Sequence, residues 1–289
     1  MPRPDAGAPP ARSARSAIAG SLREYARGLA GGLLFSLPML YTMEMWWSGF
    51  LASPWRLLAG LAVAFGLLIL YNLFAGLRED ASFAEVLIDS VEELGLGLVA
   101  AALLLWLLGR IEPAMNLPEI IGKIVTEGLV MAIGFSIGTA QLGKRAKSDD
   151  ASLPGYRRHE PWRHLALSAC GAIVFGANVA PTEEILVLGQ EMSPPGLVFL
   201  MVLSMLSGAM ILHYSDFTAS VAGRDAGVGA VVMGTAGTYA VALLASAGML
   251  WFFGRFDDET AVMMSAQTVV LGFAAMLGAS AGRLLLQPS

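Results

Sequence analysis

Carboxylates are the residues of this chain whose type and spacing can do chemistry, because so many stand inside long apolar runs. Glu44 lies in GGLLFSLPMLYTMEM (31–45), and Glu183 and Glu184 lie in GAIVFGANVAPTEEI (171–185). Glu85, Asp89, Glu92 and Glu93 recur at i, i+4, i+7 and i+8, which sets them on one stripe of a helix. Glu119, Lys123 and Glu127 share another face, where Lys123 is expected to pair with one or both carboxylates. An ionised side chain at the bilayer centre costs about 2.5–3.5 kcal/mol on insertion scales, so such acids turn toward a protein interior or a wet cavity. Two chemistries fit an ion pathway built from Glu44, Glu183, Glu184, Asp89, Glu92, Glu93, Glu127, Asn178 and Thr182. Carboxylates and neighbouring oxygens suit a hard divalent cation, with Glu44 and Glu184 as the expected metal ligands. Desolvated carboxyls can instead take up and release protons. Pro38, six residues before Glu44, and Pro181, three before Glu184, each free a backbone carbonyl and act as hinges. The plain structural alternative is that buried acids bond to neighbouring helices as polar glue, above all Glu85 and Glu119 near helix ends.

Elements long enough to hold these groups in a bilayer follow from the composition. The 289 residues are 56% hydrophobic and only 14% charged, with mean hydropathy +0.64, far from the balance of a soluble domain. Apolar windows predict an all-α bundle of about eight transmembrane helices near 28–50, 55–76, 83–109, 118–142, 164–189, 195–215, 226–253 and 260–285. Of the 18 Lys and Arg, only Arg56, Arg110, Lys123 and Arg255 fall outside segments that are cytoplasmic when the N-terminus is inside. This bias predicts both termini in the cytoplasm and an even number of helices. Trp46, Trp47, Trp55, Trp106 and Trp251 fall at the outer helix ends, where amphipathic rings favour the headgroup level.

The chain also matches itself. At an offset of 140 residues Gly31, Phe35, Thr42 and Glu44 meet Gly171, Phe175, Thr182 and Glu184. At a slightly larger offset LLLWLLGRIE (103–112) meets GMLWFFGRFD (248–257), aligning Trp106, Gly109 and Arg110 with Trp251, Gly254 and Arg255. Two parallel four-helix repeats are expected, 18–142 and 164–289, related by a pseudo-two-fold axis along the membrane normal. A basic arm (1–17), expected to be disordered, precedes them, and a polar cytoplasmic linker (143–163) joins them. Asp89 and Glu93 fall opposite Gly234 and Thr238, so the function is expected to be asymmetric. GTAGTYA (234–240) and GASAG (278–282) read as close-packing helix faces. The single Cys170 excludes an intramolecular disulfide, His159 and His164 show no metal spacing, and His213 reads as a plain helix boundary.

FGANVAPTEEI (175–185), in an eight-helix chain with this charge layout, resembles a family of bacterial integral membrane proteins, domain of unknown function 2391. The resemblance covers the chain after the arm and implies an inner-membrane location without supplying an activity. The same stretch is loosely similar to the FG-x-S-x-P-E motif of cation/calcium exchangers, with Phe175, Gly176, Pro181 and Glu183 or Glu184 in comparable order. Those exchangers are built from inverted repeats, whereas four-helix repeats are parallel. The leading expectation is a transporter or channel for protons or a divalent metal, with the lipid bilayer as partner and no nucleic acid. A non-transporting scaffold or sensor is the first rival. An intramembrane enzyme is the second, since Glu92-Glu93 and Glu183-Glu184 are similar to the E-E-x-x-x-R opening of CAAX-type membrane proteases. No Arg follows either pair at that spacing, so no enzyme is expected.

Overall fold

Two of the expected spans are not single helices. In the computed structural model, which describes residues 11–75, 82–144, 160–219 and 228–285, the first apolar run is split into α1 (Ala11–Leu40) and a short α2 (Met43–Leu51). Pro38 stands in the last turn of α1, where it cannot donate, and the chain leaves the helix through turn bonds from the Tyr41 and Thr42 amides to the Pro38 and Met39 carbonyls. The fifth run is divided the same way, into α6 (Glu160–Gly176) and α7 (Glu184–Glu191), with Pro181 in the turns between them. The other elements are α3 (Pro54–Ala75), α4 (Phe83–Leu107), α5 (Leu117–Lys144), α8 (Pro194–Ala219), α9 (Val228–Phe252) and α10 (Ala261–Leu285). These six are long and apolar enough to cross a membrane. Every regular element among the described residues is a helix. α1 begins within the expected arm, at Ala11; residues 1–10 of that arm and 145–159 of the linker, His159 included, lie outside the described residues.

Local signals explain where α4 and α9 start and stop. Ser82 and Glu85 form a reciprocal capping box at the start of α4, which gives Glu85 a structural role. At its end Gly109 takes φ 66°, its amide reaching the Trp106 carbonyl and the Arg110 amide that of Leu105, a Schellman ending. α9 ends identically: Gly254 takes φ 73°, with bonds from Gly254 to Trp251 and from Arg255 to Leu250. The paired W-x-x-G-R sequences are thus one helix-stop signal occurring twice.

α5 is the core of the first half. Some 83% of its apolar span is buried, against 17–44% in the other five. It packs against α1, α2, α3 and α4, and α10 packs against α6, α7, α8 and α9. Glycines permit the closest approaches: a Cβ on Gly31 would lie 2.4 Å from the Gly134 carbonyl oxygen, and one on Gly171 2.2 Å from that of Gly278. Gly49 similarly meets Gly122 and Lys123, and Gly189 meets Gln267. Gly31 therefore sits late along α5 and Gly49 early, so α1 and α2 together run antiparallel to it; α6 and α7 do the same along α10. The expectation of close packing holds for GASAG, while in GTAGTYA the packed residues are the buried Thr235, Thr238 and Tyr239, and Gly234 and Gly237 have no atom within 4 Å of a built Cβ. Cys170 is buried with Leu167 and Val174.

Across the halves, α3 lies on α6, the Phe35 and Phe175 rings meet at 6.4 Å, and the Asn178 amide donates to the Phe35 carbonyl at 3.1 Å. No comparable packing of α8 on α1 accompanies this among the described residues, so the interface is not evenly two-fold.

A Cβ on Gly138 would fall 2.6 Å from the Arg27 carbonyl oxygen and 2.7 Å from the Gly31 Cα, both backbone atoms that must move apart. Gly138→Val should therefore destabilise the α1–α5 contact by about 1–3 kcal/mol, seen as a lower thermal midpoint in detergent. Gly237→Ala, with open space around it, should leave that midpoint unchanged or raise it.

Candidate functional site

The α4 acids open on a cavity of about 140 Å³ bounded by α1, α3, α4 and α5, near the end where α1 begins. Glu24 and Tyr25 come from α1, Asn72 from α3, Asp89, Glu92 and Glu93 from α4, and Ser136 and Thr139 from α5. Four carboxyl groups and no Lys or Arg among the lining residues give this cavity a field that draws cations. Glu93 is its most enclosed acid, 8% exposed. The Asn72 amide donates to Glu93 Oε2 at 2.8 Å and to Ser90 Oγ at 3.1 Å, while Asn72 Oδ1 accepts from Ser136 Oγ at 3.1 Å. Bonds on both sides of the amide fix its orientation, and one carboxylate is thereby tied to three helices. At the rim the Tyr25 hydroxyl donates to Glu92, and this bond holds the phenol above its ordinary pKa.

A second cavity, about 340 Å³, lies at the opposite end of α5, lined by Trp46 and Trp47 of α2, Arg110, Glu112 and Met115 of the connection, and Glu119 and Lys123 of α5. Buried Lys123 donates to Glu119 Oε1 at 2.9 Å and to the Arg110 carbonyl at 3.2 Å, so it pairs with one of the two expected carboxylates. The Arg110 guanidinium sits 4.4 Å from the centre of the Trp46 ring. Glu127, one turn further along α5, opens on neither cavity: it is 1% exposed and its oxygens have no hydrogen-bond partner among the described residues. The Ser36 hydroxyl of α1 lies beside it, short of hydrogen-bond geometry.

The expected partnership of Glu44 and Glu184 takes a different form. Half-buried Glu44 and exposed Glu183 both act on the guanidinium of Arg255, which also donates to the Pro181 carbonyl. Burial holds Arg255 below its ordinary pKa, and the two carboxylates pull it back. Glu184 is exposed in the first turn of α7 and is not among the groups acting on Arg255. Asn178 and Thr182 serve the helix break: the Asn178 amide also donates to the Val174 carbonyl at 2.6 Å, and the Thr182 hydroxyl donates to the Val179 carbonyl at 2.8 Å. Among the described residues no group of three or more His, Cys, Asp or Glu is placed to hold a metal ion. Sequence reasoning missed Asn72, Ser36, Ser136 and the role of Arg255. Asn72 carried a signal, as a lone amide in the apolar run of α3; single serines in apolar helices carry none.

A family model described as Putative integral membrane protein (DUF2391) matches residues 24–286, and the chain belongs to that family. Its character as a membrane protein of several apolar helices agrees with the helices described above. Comparison with curated proteins and with solved structures finds no match.

One ion pair between the halves is open to titration. Arg56 of α3 binds Asp257 through both carboxylate oxygens, with Nη1 at 2.8 Å from Oδ2. That hydrogen bonding holds the Asp257 carboxyl below its ordinary value of 3.8. A depressed folded-state value means that the stabilisation is present above 3.8 and is lost as the pH falls below it. Asp257 is 54% exposed, which confines the effect to about 0–1 kcal/mol. In detergent, the wild type should lose this increment relative to Arg56→Gln between about pH 6 and about pH 3; equal acid sensitivity of the two thermal midpoints would contradict it.

Proposed function

We propose that this member of the family crosses a bacterial inner membrane eight times, with both termini cytoplasmic, and that its first half carries a proton pathway along α5. Each interrupted pair, α1 with α2 and α6 with α7, counts as one crossing, because each runs antiparallel to a single buried helix. The two halves are read as copies of one unit. The shared Schellman endings support this, as do glycine contacts that recur at an offset of 140 residues on α1 and α6 and 144 on α5 and α10, from Gly134 and Gly138 to Gly278 and Gly282. The touching rings of Phe35 and Phe175, each other's counterparts, support an axis passing between α1 and α6.

The observation that carries the pathway is a buried carboxyl group, Glu93, held by Asn72 at the wall of an acidic cavity within the membrane-spanning bundle. Further along α5, past an apolar stretch, Glu127, Thr126 and Lys123 are buried toward a second cavity at its other end. Two features favour protons over a divalent metal. The donor set lacks a metal-holding cluster among the described residues, and the buried ammonium of Lys123 stands in the route at the distal end. A fixed positive charge repels a passing metal ion, whereas a proton can be relayed between neighbouring groups.

In vesicles carrying the purified chain, an imposed pH gradient should dissipate at a rate that Glu93→Gln lowers by about tenfold or more, equivalent to at least about 1.4 kcal/mol on the barrier. Glu184→Gln should leave the rate within about twofold, or about 0.4 kcal/mol. Gradient decay no faster than in empty vesicles, or decay indifferent to Glu93→Gln, would remove the reading.

A further inference from the structure

We infer that Glu127 is an occluded proton-binding site between the two cavities, with the Ser36 hydroxyl as its companion. This rests on the pathway reading and assigns the group that carries the proton through the interval neither cavity reaches. Polar groups taken out of water are normally hydrogen-bonded, because leaving them without partners is costly. A carboxyl that merely cements helices satisfies this rule; Glu127 does not, with both oxygens unbonded among the described residues and the Ser36 hydroxyl equally unbonded. Nor does the frame require an acid there. At the 144-residue offset Leu271 fills the corresponding place on α10, fully buried.

Position along α5 fits the assignment. Lys123 of the distal cavity is one turn away, about 6 Å of helix rise, and Ser136 of the acidic cavity is nine residues the other way, about 13.5 Å. Most charged groups of the surrounding helices are engaged elsewhere, and Arg23 and Arg27 of α1 stand nine or more residues before Ser36. Lys123 pairs with Glu119; Glu24 and Tyr25 of α1 and Asp89, Glu92 and Glu93 of α4 line the acidic cavity. Glu44 of α2 acts on Arg255, and Arg56 of α3 binds Asp257. Tyr71 of α3 gathers with Arg163 and Cys170 of α6 and with Gln141 and Glu93. The side chain acting on Glu127 is Ser36, whose hydroxyl can donate to a carboxylate or accept from a carboxylic acid and so serves both protonation states. Two carboxylate oxygens and one hydroxyl fall well short of the six or more oxygens a calcium ion takes, which leaves the proton as the fitting ligand.

Infrared difference spectra of the full chain in phosphatidylcholine–phosphatidylglycerol vesicles, wild type minus Glu127→Gln, test this across a pH titration. A carbonyl stretch from a protonated carboxyl should be present in the wild type, absent from the variant and lost as the pH rises, with a shifted midpoint in Ser36→Ala. Absence of that band at every pH, or a band unchanged to the alkaline end, overturns the inference. Should Glu127→Gln fail the folding check by circular dichroism and size-exclusion elution, Glu127→Asp replaces it, and the titrating band must then move in frequency. Flux separates this inference from the reading beneath it. If Glu93→Gln silences the pathway while Glu127→Gln conducts at the wild-type rate, the site falls and the pathway stands. If neither substitution alters flux yet the Glu127 band titrates, the pathway falls and the site stands.

Discussion

A polar helix enclosed on nearly every side is the constraint on which the first half depends. α5 has Lys123, Thr126, Glu127, Ser136 and Thr139 buried along its length, and the helices around it turn exposed apolar side chains such as Leu58, Val63, Val99 and Leu103 outward. In a bilayer that arrangement is the stable one, because lipid tails offer polar groups nothing while neighbouring helices can. α1, α2, α3 and α4 form that enclosure. Their closest approaches fall at glycines, since interhelical association within lipid comes from close van der Waals fit rather than from expulsion of water.

Interrupting a helix in such an environment creates unsatisfied backbone groups, and side chains of the chain meet part of that cost. The Leu40 carbonyl at the end of α1 accepts from the Trp46 indole at 3.0 Å. At the second break the Pro181 carbonyl accepts from Arg255, and Asn178 donates to carbonyls on both sides of the gap between halves. The sequence T-E-E after Pro181 resembled an ion site because it brings oxygens and carboxylates together. Much of that polarity is engaged in completing the break. Arg255 is placed for this by the Gly254 turn, so the W-x-x-G-R segment of one helix end supports the broken helix beside it.

Periodicity and charge made the broad architecture legible, and three-dimensional pairing escaped them. Apolar windows located the six long helices because a span must be continuous in sequence. The same windows fused α1 with α2 and α6 with α7, since Tyr41-Thr42 and 177–183 remain apolar enough to look like uninterrupted spans; Pro38 and Pro181 were the only warning. The stripe of Asp89, Glu92 and Glu93 could be read because helix geometry fixes which residues share a face. Which acid lies deepest could not, because that depends on Asn72 and Ser136, 21 and 43 residues away from Glu93. The self-match set Glu44 opposite Glu184, yet an alignment of two segments says nothing about whether the paired residues touch. Phe35 and Phe175 do touch, while it is Glu183, with Glu44, that acts on Arg255.

If the halves descend from one unit, as proposed, their divergence bears on where the proposed proton route lies. Along α10 the places of Lys123, Glu127 and Thr139 are taken by Gln267, Leu271 and Arg283, and the place of Glu93 on α9 by Thr238. Buried Arg283 donates to Thr238 at 3.1 Å. The guanidinium at the place of Thr139 thus bonds the threonine at the place of Glu93, so the counterpart of the acidic cavity holds a basic group. Glycine contacts, helix stops and breaks occur in both halves, whereas the charged interior does not. Backbone geometry in such a unit is set by contacts that tolerate almost no side-chain volume, while the interior tolerates any group that finds a partner. One half can then carry cation chemistry while the other, α6 against α3, supplies a wall that holds the Asn72 helix in place.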